Sequence, residues 1–331
     1  MYEKVQIWLP DAKKTRKCGF SLFNTIYKPV DILLKGEIGA GKTTFLHGFA
    51  EALGVNGAVR SPTFALENRH NTSKWGELLH IDLYRLDENK AKELYDQTED
   101  HEGIRCIEWA ERLKNIDIES IIIELDDRKD NNGRNLKIIF NDALLPSLEE
   151  IKSWRKKFEL PENVCKHCDA VAEVCKEIGE QFIKEGYIIR INAIIKAALV
   201  HDLFRFVDFK AGASHDRDEI IQPKIWEEIK EEHPAQKHEE VCEKFLKKQG
   251  YRVLSEIVKT HGVRSLPYNP MTIEQKILFY ADKRVILDKK VTLKERFDDF
   301  VTRYGDGIWT KHAEKWYEQA KEIEEELNKM K

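Results

Sequence analysis

The stretch Gly36-Glu37-Ile38-Gly39-Ala40-Gly41-Lys42-Thr43-Thr44 constrains this chain more than any other. It fits G-x-x-x-x-G-K-[ST] without a mismatch. Val30 to Lys35 in front of it is apolar enough for a buried strand. Phe45 to Leu53 behind it reads as a helix, with Phe45, Leu46, Phe49, Ala50 and Leu53 at helical spacing and Gly54 as a stop. Strand, glycine-rich loop and helix in that order let backbone N–H groups curl around phosphate oxygens, and the helix N-terminus adds a favourable dipole. Gly36, Glu37, Gly39, Ala40, Gly41 and Thr44 belong to that cradle. Lys42 would reach the β- and γ-phosphates of a nucleotide, and the Thr43 hydroxyl would ligate Mg²⁺.

A chain of 331 residues has room for two domains. Its net charge of -4, with neither half strongly basic, argues against a bulk nucleic-acid binder, so any RNA contact must be local or borrowed from a partner. No apolar run approaches the roughly 20 residues of a membrane span, and no signal peptide is visible at the N-terminus. Six cysteines in a chain this long suit reduced thiols, and a cytoplasmic location is expected.

Taken in order, Lys4 to Leu9 reads as an edge strand and Ala12 to Ile26 as a helix interrupted by Gly19. After the phosphate loop, Arg60 to Phe64 is a polar turn, with a strand beginning between Phe64 and Leu66. Leu78 to Tyr84 alternates as a strand with Asp82 near its end, and Ile104 to Trp109 is a short apolar strand ending on Glu108. Ser120 to Leu125 and Leu136 to Phe140 are further strands joined by the turn Asp127 to Arg134. Strands with few intervening helices around such a loop predict an α/β nucleotide-binding domain. An acid at the end of a strand beside the loop is where a Mg²⁺ ligand or a water-orienting base is needed. Asp82 and Glu108 are the candidates, and a solvated strand-end carboxylate is the alternative for each.

Four motifs in succession resemble the TsaE family, the small ATPase of bacterial tRNA threonylcarbamoyladenosine synthesis. They are Gly36 to Thr44, Ser61-Pro62-Thr63-Phe64, His80-Ile81-Asp82-Leu83-Tyr84-Arg85-Leu86 and Ile107-Glu108-Trp109-Ala110-Glu111. The resemblance covers roughly residues 1–142. It implies that ATP or ADP with Mg²⁺ is held by Lys42 and Thr43, and that Asp82 and Glu108 work at the metal and the attacking water. It places Thr63 in a nucleotide-sensitive loop and Trp109 close to the nucleotide. It also implies TsaD and TsaB as partners, with tRNA reached indirectly through them. Leu94-Tyr95-Asp96 stands where the family usually has a glycine, which leaves the intervening loop open.

Asn141 to Pro146 closes this first domain, 1–146, and the composition of 147–331 is helical. Ser147 to Phe158, Ala170 to Phe182, Ile194 to Phe206, Val241 to Gln249, Val253 to Thr260, Ile273 to Leu287 and Lys311 to Lys331 read as helices, so an all-α domain is expected. Along them, His167 begins a helix, His201 and Asp202 lie inside an apolar one, His238 precedes a helix, His261 ends one, and Asp282 follows Phe279-Tyr280-Ala281. Asp202 in an apolar context is costly unless paired or metal-bound. Imidazoles with carboxylates suit Mn²⁺, Fe²⁺, Co²⁺ or Zn²⁺.

The order His, His-Asp, Asp resembles the HD superfamily of metal-dependent phosphohydrolases over about residues 160–290. His167, His201, Asp202 and Asp282 match its ligands. His238 and His261 match the extra histidines of some members, which hold a second metal or a phosphate. The resemblance implies that a metal-activated water attacks phosphorus with Asp202 at the reaction centre. A nucleotide phosphate ester is the expected substrate. Where the family commonly continues Ile-Gly-Lys, this chain has Leu203-Phe204-Arg205, and Arg205, Lys283 and Arg284 read either as phosphate ligands or as a solvated face. Cys165 and Cys168 form one C-x-x-C, which reads more simply as small buried thiols than as a zinc pair. The competing class is a non-enzymatic assembly factor, with the phosphate loop as a nucleotide switch and the helical part as a docking surface.

Overall fold

The structure is a computed structural model that describes residues 2–57, 59, 61–62, 65–114, 119–127, 133–209, 223–262, 271–304 and 306–330. Thr63, Phe64, most of the Asp127–Arg134 turn, and all but the start of the polar stretch Asp208–Asp218, with His215, lie outside the described residues. The chain divides into two units: Tyr2–Ala143 with Gln181–Arg190, and Leu144–Glu180 with Ile191–Lys331.

The first unit runs β1 (Tyr2–Leu9), α1 (Ala12–Leu22), β2 (Asp31–Lys35), α2 (Lys42–Ala52), β3 (Glu67–Asn71), β4 (Glu77–Asp82), α3 (Glu88–Asp96), β5 (Ile104–Glu108), β6 (Ser120–Asp127) and β7 (Arg134–Leu144). Among the described residues these strands form one seven-stranded sheet, in the order β1-β7-β6-β2-β5-β4-β3. Its centre, β6-β2-β5-β4, is parallel, while β7 and β3 pair antiparallel on either side. The sequence dictates that division. β2 and β5 are buried along nearly their whole length, as strands covered on both faces must be. β1, at the edge, alternates Val5, Ile7 and Leu9 inward with exposed neighbours.

α1 passes straight through Gly19, which the sequence reading took as an interruption. The glycine is there for packing. A Cβ on Gly19 would come within 2.0 Å of the Phe45 carbonyl oxygen, and one on Gly48 within 1.9 Å of the Arg16 carbonyl oxygen. The two glycines let α1 and α2 approach backbone to backbone. Gly48→Ala gains about 1 kcal/mol of helix propensity. It also drives a methyl into a carbonyl that cannot swing away, and such overpacking costs about 1–3 kcal/mol, more where nothing yields. We therefore expect a net loss of stability, read as a lower urea midpoint for the first unit. A midpoint at or above wild type would contradict the close approach.

Leu94-Tyr95-Asp96 is the end of α3 and not part of a loop. Tyr95 donates its hydroxyl to Asp31 (2.9 Å), and Arg105 donates Nε to the same carboxylate (2.8 Å). α3 was missed because it is mostly charged, with only Ala91 and Tyr95 buried.

The second unit contains α4 (Leu148–Lys157), α5 (Glu162–Lys184, its last turn counted with the first unit), α6 (Ile191–Val200), α7 (Lys224–Glu232), α8 (His238–Lys248), α9 (Arg252–Val258), α10 (Ile273–Asp282), β8 (Val285–Ile286), β9 (Lys289–Lys290), α11 (Leu293–Tyr304) and α12 (Lys311–Met330). The unit is mostly helical, as the sequence predicts, with one small β8-β9 hairpin, and the segment read as a helix from Ile273 to Leu287 stops being helical at Asp282. Ser147 caps α4 by accepting from the Glu150 N–H at 3.1 Å. Phe158, Phe204 and Phe245 pack edge-on or tilted, with Trp154 against Phe245. Trp226 stacks on Phe206 and donates its indole N–H to the Phe158 carbonyl at 2.8 Å. No helix among the described residues is long and apolar enough to cross a membrane.

Candidate functional site

Two constellations stand out, one in each unit. The first lies where β2, β5 and β4 end. Their parallel register sets Leu34, Glu108 and Asp82 side by side, with Glu108 on the strand next to β2 and Asp82 one strand further out. The loop from Gly36 to Gly41 then turns into α2, with Gly41 as its left-handed N-cap at φ 100°. A Cβ on Gly41 would also sit 2.0 Å from the Arg134 guanidinium, which donates to the Ala40 carbonyl at 2.9 Å. Gly36 and Gly39 have positive φ as well, conformations that favour glycine. Lys42 folds back and donates to the carbonyls of Gly36 (2.6 Å) and Glu37 (3.0 Å), with its ammonium 3.9 Å from the Trp109 ring centroid. Burial pushes this ammonium below its ordinary range, while Glu108, Glu111, Asp82 and Glu37 pull the other way.

Thr43 and Thr44 follow in the first turn of α2. Thr43 donates its hydroxyl towards both Glu108 oxygens, at 3.1 and 3.0 Å. Asp82 accepts from the Ser61 hydroxyl and from the Tyr84 N–H (3.0 Å). Trp109 takes a left-handed φ of 61° and packs its ring on Tyr84. Every sequence-predicted residue of this site except Thr63, outside the described residues, gathers around one loop. The left-handed turns and the inward-folded lysine fit a phosphate group, whose oxygens would take the Lys42 donors in place of the loop carbonyls. Sequence reasoning gave no separate role to His80, which is fully buried with Nε2 3.0 Å from Glu108 Oε1.

The second constellation gathers six sequence-predicted residues. His167 lies in the second turn of α5 and not at its start. His238 is the first residue of α8, His261 follows the end of α9, and Asp282 is the last residue of α10. His201 and Asp202 correct the sequence reading, because α6 ends at Val200 and both residues lie in a turn before a short 3₁₀ segment, Arg205–Asp208. The apolar run continues through Leu203 and Phe204 for core packing, which imitates helical periodicity.

All four imidazoles are held by Nδ1. His167 Nδ1 meets the Leu287 carbonyl at 3.0 Å, His201 Nδ1 the Ala198 carbonyl at 2.7 Å, and His261 Nδ1 the Val258 carbonyl at 2.5 Å. His238 Nδ1 meets the Asp208 carboxylate at 2.6 Å. Each Nε2 then faces the cluster. His167 Nε2 is 3.0 Å from Asp282, and His238 Nε2 is 3.0 Å from both Asp202 and His261 Nε2. His201 Nε2 is 3.9 Å from Asp202 and 3.8 Å from Asp282, buried with no hydrogen-bond partner among the described residues. His167, His201 and Asp282 could hold one cation; so could His201, Asp202 and His261, or His238, Glu239 and His261. Imidazoles fixed through Nδ1 and converging on carboxylates are how divalent-metal ligands are oriented, so the donor set fits such an ion.

Electrostatics couple the members of the cluster. Burial alone would raise the Asp202 carboxyl, yet His201, Arg205, His238 and His261 hold it well below the usual range. Asp282 is likewise held well below that range against burial, by Lys283, His167 and His201. Burial opposes a proton on His201, but Cys168, Asp202 and Asp282 outweigh it and hold that imidazole high. His261, pressed by burial and by His201 and His238, is pushed down. Of the three cations singled out in the sequence, Arg205 lies 3.3 Å from His238 Nδ1. Lys283 binds the Asp282 carboxylate and the His261 carbonyl (2.8 Å). Arg284 is spent on Val291 and Tyr280. Asp208 was missed, since a carboxylate in a charged segment carries no signal until the fold brings it to His238, and Glu239 was missed because, though it follows His238 directly, it reads as one more acid of a charged helix start. The cysteines are free thiols.

Comparison with known proteins gives two family matches. A model described as "Threonylcarbamoyl adenosine biosynthesis protein TsaE" matches residues 9–136, and a model described as "HD domain" matches residues 164–285. A Synechocystis protein named tRNA threonylcarbamoyladenosine biosynthesis protein TsaE is 39% identical over 33% of this chain and 72% of its own length. An Aquifex aeolicus protein of the same name is 48% identical over 32% of this chain and 74% of its own. The crystal structure of Bacillus subtilis YdiB is 27% identical, covering 42% of this chain and 87% of that one, with a TM-score of 0.34. The chain belongs to the TsaE family through residues 9–136, and it carries an HD domain over residues 164–285 of the same polypeptide.

Proposed function

We propose that residues 1–146 are the ATP-binding and ATP-hydrolysing component of tRNA threonylcarbamoyladenosine synthesis. They act on the TsaD–TsaB complex, and through it on tRNA. Residues 147–331 are a metal-dependent phosphohydrolase acting on a nucleotide phosphate ester. The names of the relatives support the first half, together with the loop geometry around Lys42. Lys42 would exchange the carbonyls of Gly36 and Glu37 for the β- and γ-phosphates. Thr43 and Asp82 would hold Mg²⁺, which neutralises phosphate charge when bound, and Glu108 would orient the attacking water and take its proton.

The single observation that carries the second half is the set of four imidazoles, each fixed through Nδ1 with Nε2 turned on Asp202 and Asp282. A docking surface has no need to bury such a set. A divalent ion held there, by His167, His201, Asp202 and Asp282 with His238 and His261 beside them, would polarise a phosphoryl oxygen and acidify a water. Arg205, beside His238, and Lys283, on the Asp282 carboxylate, would meet phosphate charge, and Asp208 would keep His238 in one orientation.

The test is a panel of phosphate esters offered to the full chain with Mn²⁺, Fe²⁺, Co²⁺ or Zn²⁺, with ADP and AMP included because the first site releases ADP. Phosphate release with at least one nucleotide and one metal is expected. No release from any member under any metal would remove the phosphohydrolase half.

A further inference from the structure

His80 sits in the middle of β4, a central strand whose other inner positions, Leu78, Leu79 and Ile81, are apolar and fully buried. An imidazole there is costly unless it is hydrogen-bonded, and a leucine or valine would satisfy the core. The ring is only half satisfied. Nε2 is 3.0 Å from Glu108 Oε1, while Nδ1 is buried with no hydrogen-bond partner among the described residues. The partner decides the tautomer: a proton on Nε2 donates to the carboxylate and leaves an idle lone pair on Nδ1. The other tautomer would set a lone pair against the carboxylate and strand a buried donor. Glu108 is therefore gripped twice, by His80 on Oε1 and by the Thr43 hydroxyl, 3.1 Å from Oε1 and 3.0 Å from Oε2. A core position that tolerates an unsatisfied nitrogen for one contact points to that contact as its purpose.

We propose that His80 is a positioning residue for Glu108. Its Nε2–H fixes the carboxylate at the end of β5 against the mouth of the phosphate loop. Without this donor, the carboxylate keeps its Thr43 contact but loses its fixed orientation. That rests on the proposed ATPase role of Glu108.

The experiment uses the full chain in excess over ATP with Mg²⁺, follows a single turnover, and measures the Kd of a non-hydrolysable ATP analogue by calorimetry. His80→Leu is expected to slow the turnover about 10–100-fold, as removing the partner that orients a working group does. The analogue Kd should stay within about twofold, since His80 faces Glu108 and not the loop. His80→Gln, whose amide can donate to the same oxygen, should restore most of the rate. His80→Leu added to Glu108→Gln should slow the reaction no further, because the two changes remove one function. Wild-type turnover by His80→Leu beside an impaired Glu108→Gln would overturn this proposal alone. So would parallel loss of rate and analogue affinity in both His80 variants, which marks a core role only. Wild-type turnover by Glu108→Gln would overturn the ATPase role of Glu108, and this proposal with it.

Discussion

Lys42→Ala should weaken ATP binding by at least about 100-fold. The Lys42 ammonium donates to the carbonyls of Gly36 and Glu37 and lies among the carboxylates of Glu108, Glu111, Asp82 and Glu37. Hydrogen bonds to a charged group are worth about 1.5–3 kcal/mol each, so two phosphate contacts account for about 3 kcal/mol or more, and each 1.4 kcal/mol is tenfold. Removing the cation also leaves four carboxylates facing the incoming phosphates, which adds repulsion. Calorimetric titration of wild type and Lys42→Ala with the same nucleotide measures the difference. Unchanged affinity would remove the phosphate-loop assignment.

Much of this site is legible in the sequence because it is local. The loop, its strand and its helix are contiguous, and their residue types are set by backbone geometry that three glycines with positive φ supply. Asp82 and Glu108 are visible because each ends an apolar strand, although only the register shows them side by side. The second site is legible through identity and order, His167 to Asp282, and the fold supplies what order cannot. The break after Val200 is hidden because Leu203 and Phe204 are apolar for the sake of a core built from Phe158 and Phe245, far away in sequence. Gly19 reads as a helix breaker until α2 is seen against it. Asp208 and His80 matter only through contacts with residues that local pattern cannot pair with them.

Asp202→Asn should abolish both metal retention and phosphohydrolase activity, by more than about 100-fold, beyond the 10–100-fold typical of removing a residue that only orients a ligand. The Asp202 carboxylate lies 3.0 Å from His238 Nε2, 3.7 Å from His261 Nε2 and 3.9 Å from His201 Nε2, and so reaches three of the four imidazoles. Those imidazoles and Arg205 keep it ionised although burial opposes the charge. An amide of the same shape leaves the turn after α6 packed as before, so the fold should survive. What disappears is the negative charge that a cation shared with imidazoles requires. Because the proposed ATP site lies in the other unit, the calorimetric Kd for ATP should not move.

Whether the His–Asp cluster is an active centre or a docking surface decides the account, and metal content answers it most directly. Wild type and Asp202→Asn, purified side by side, loaded with the same divalent ion and desalted, are compared by elemental analysis. We predict close to stoichiometric transition metal in wild type and a small residue in Asp202→Asn. Equal content in the two proteins, or none retained by wild type, would contradict the assignment of Asp202 as a ligand and of residues 147–331 as a phosphohydrolase.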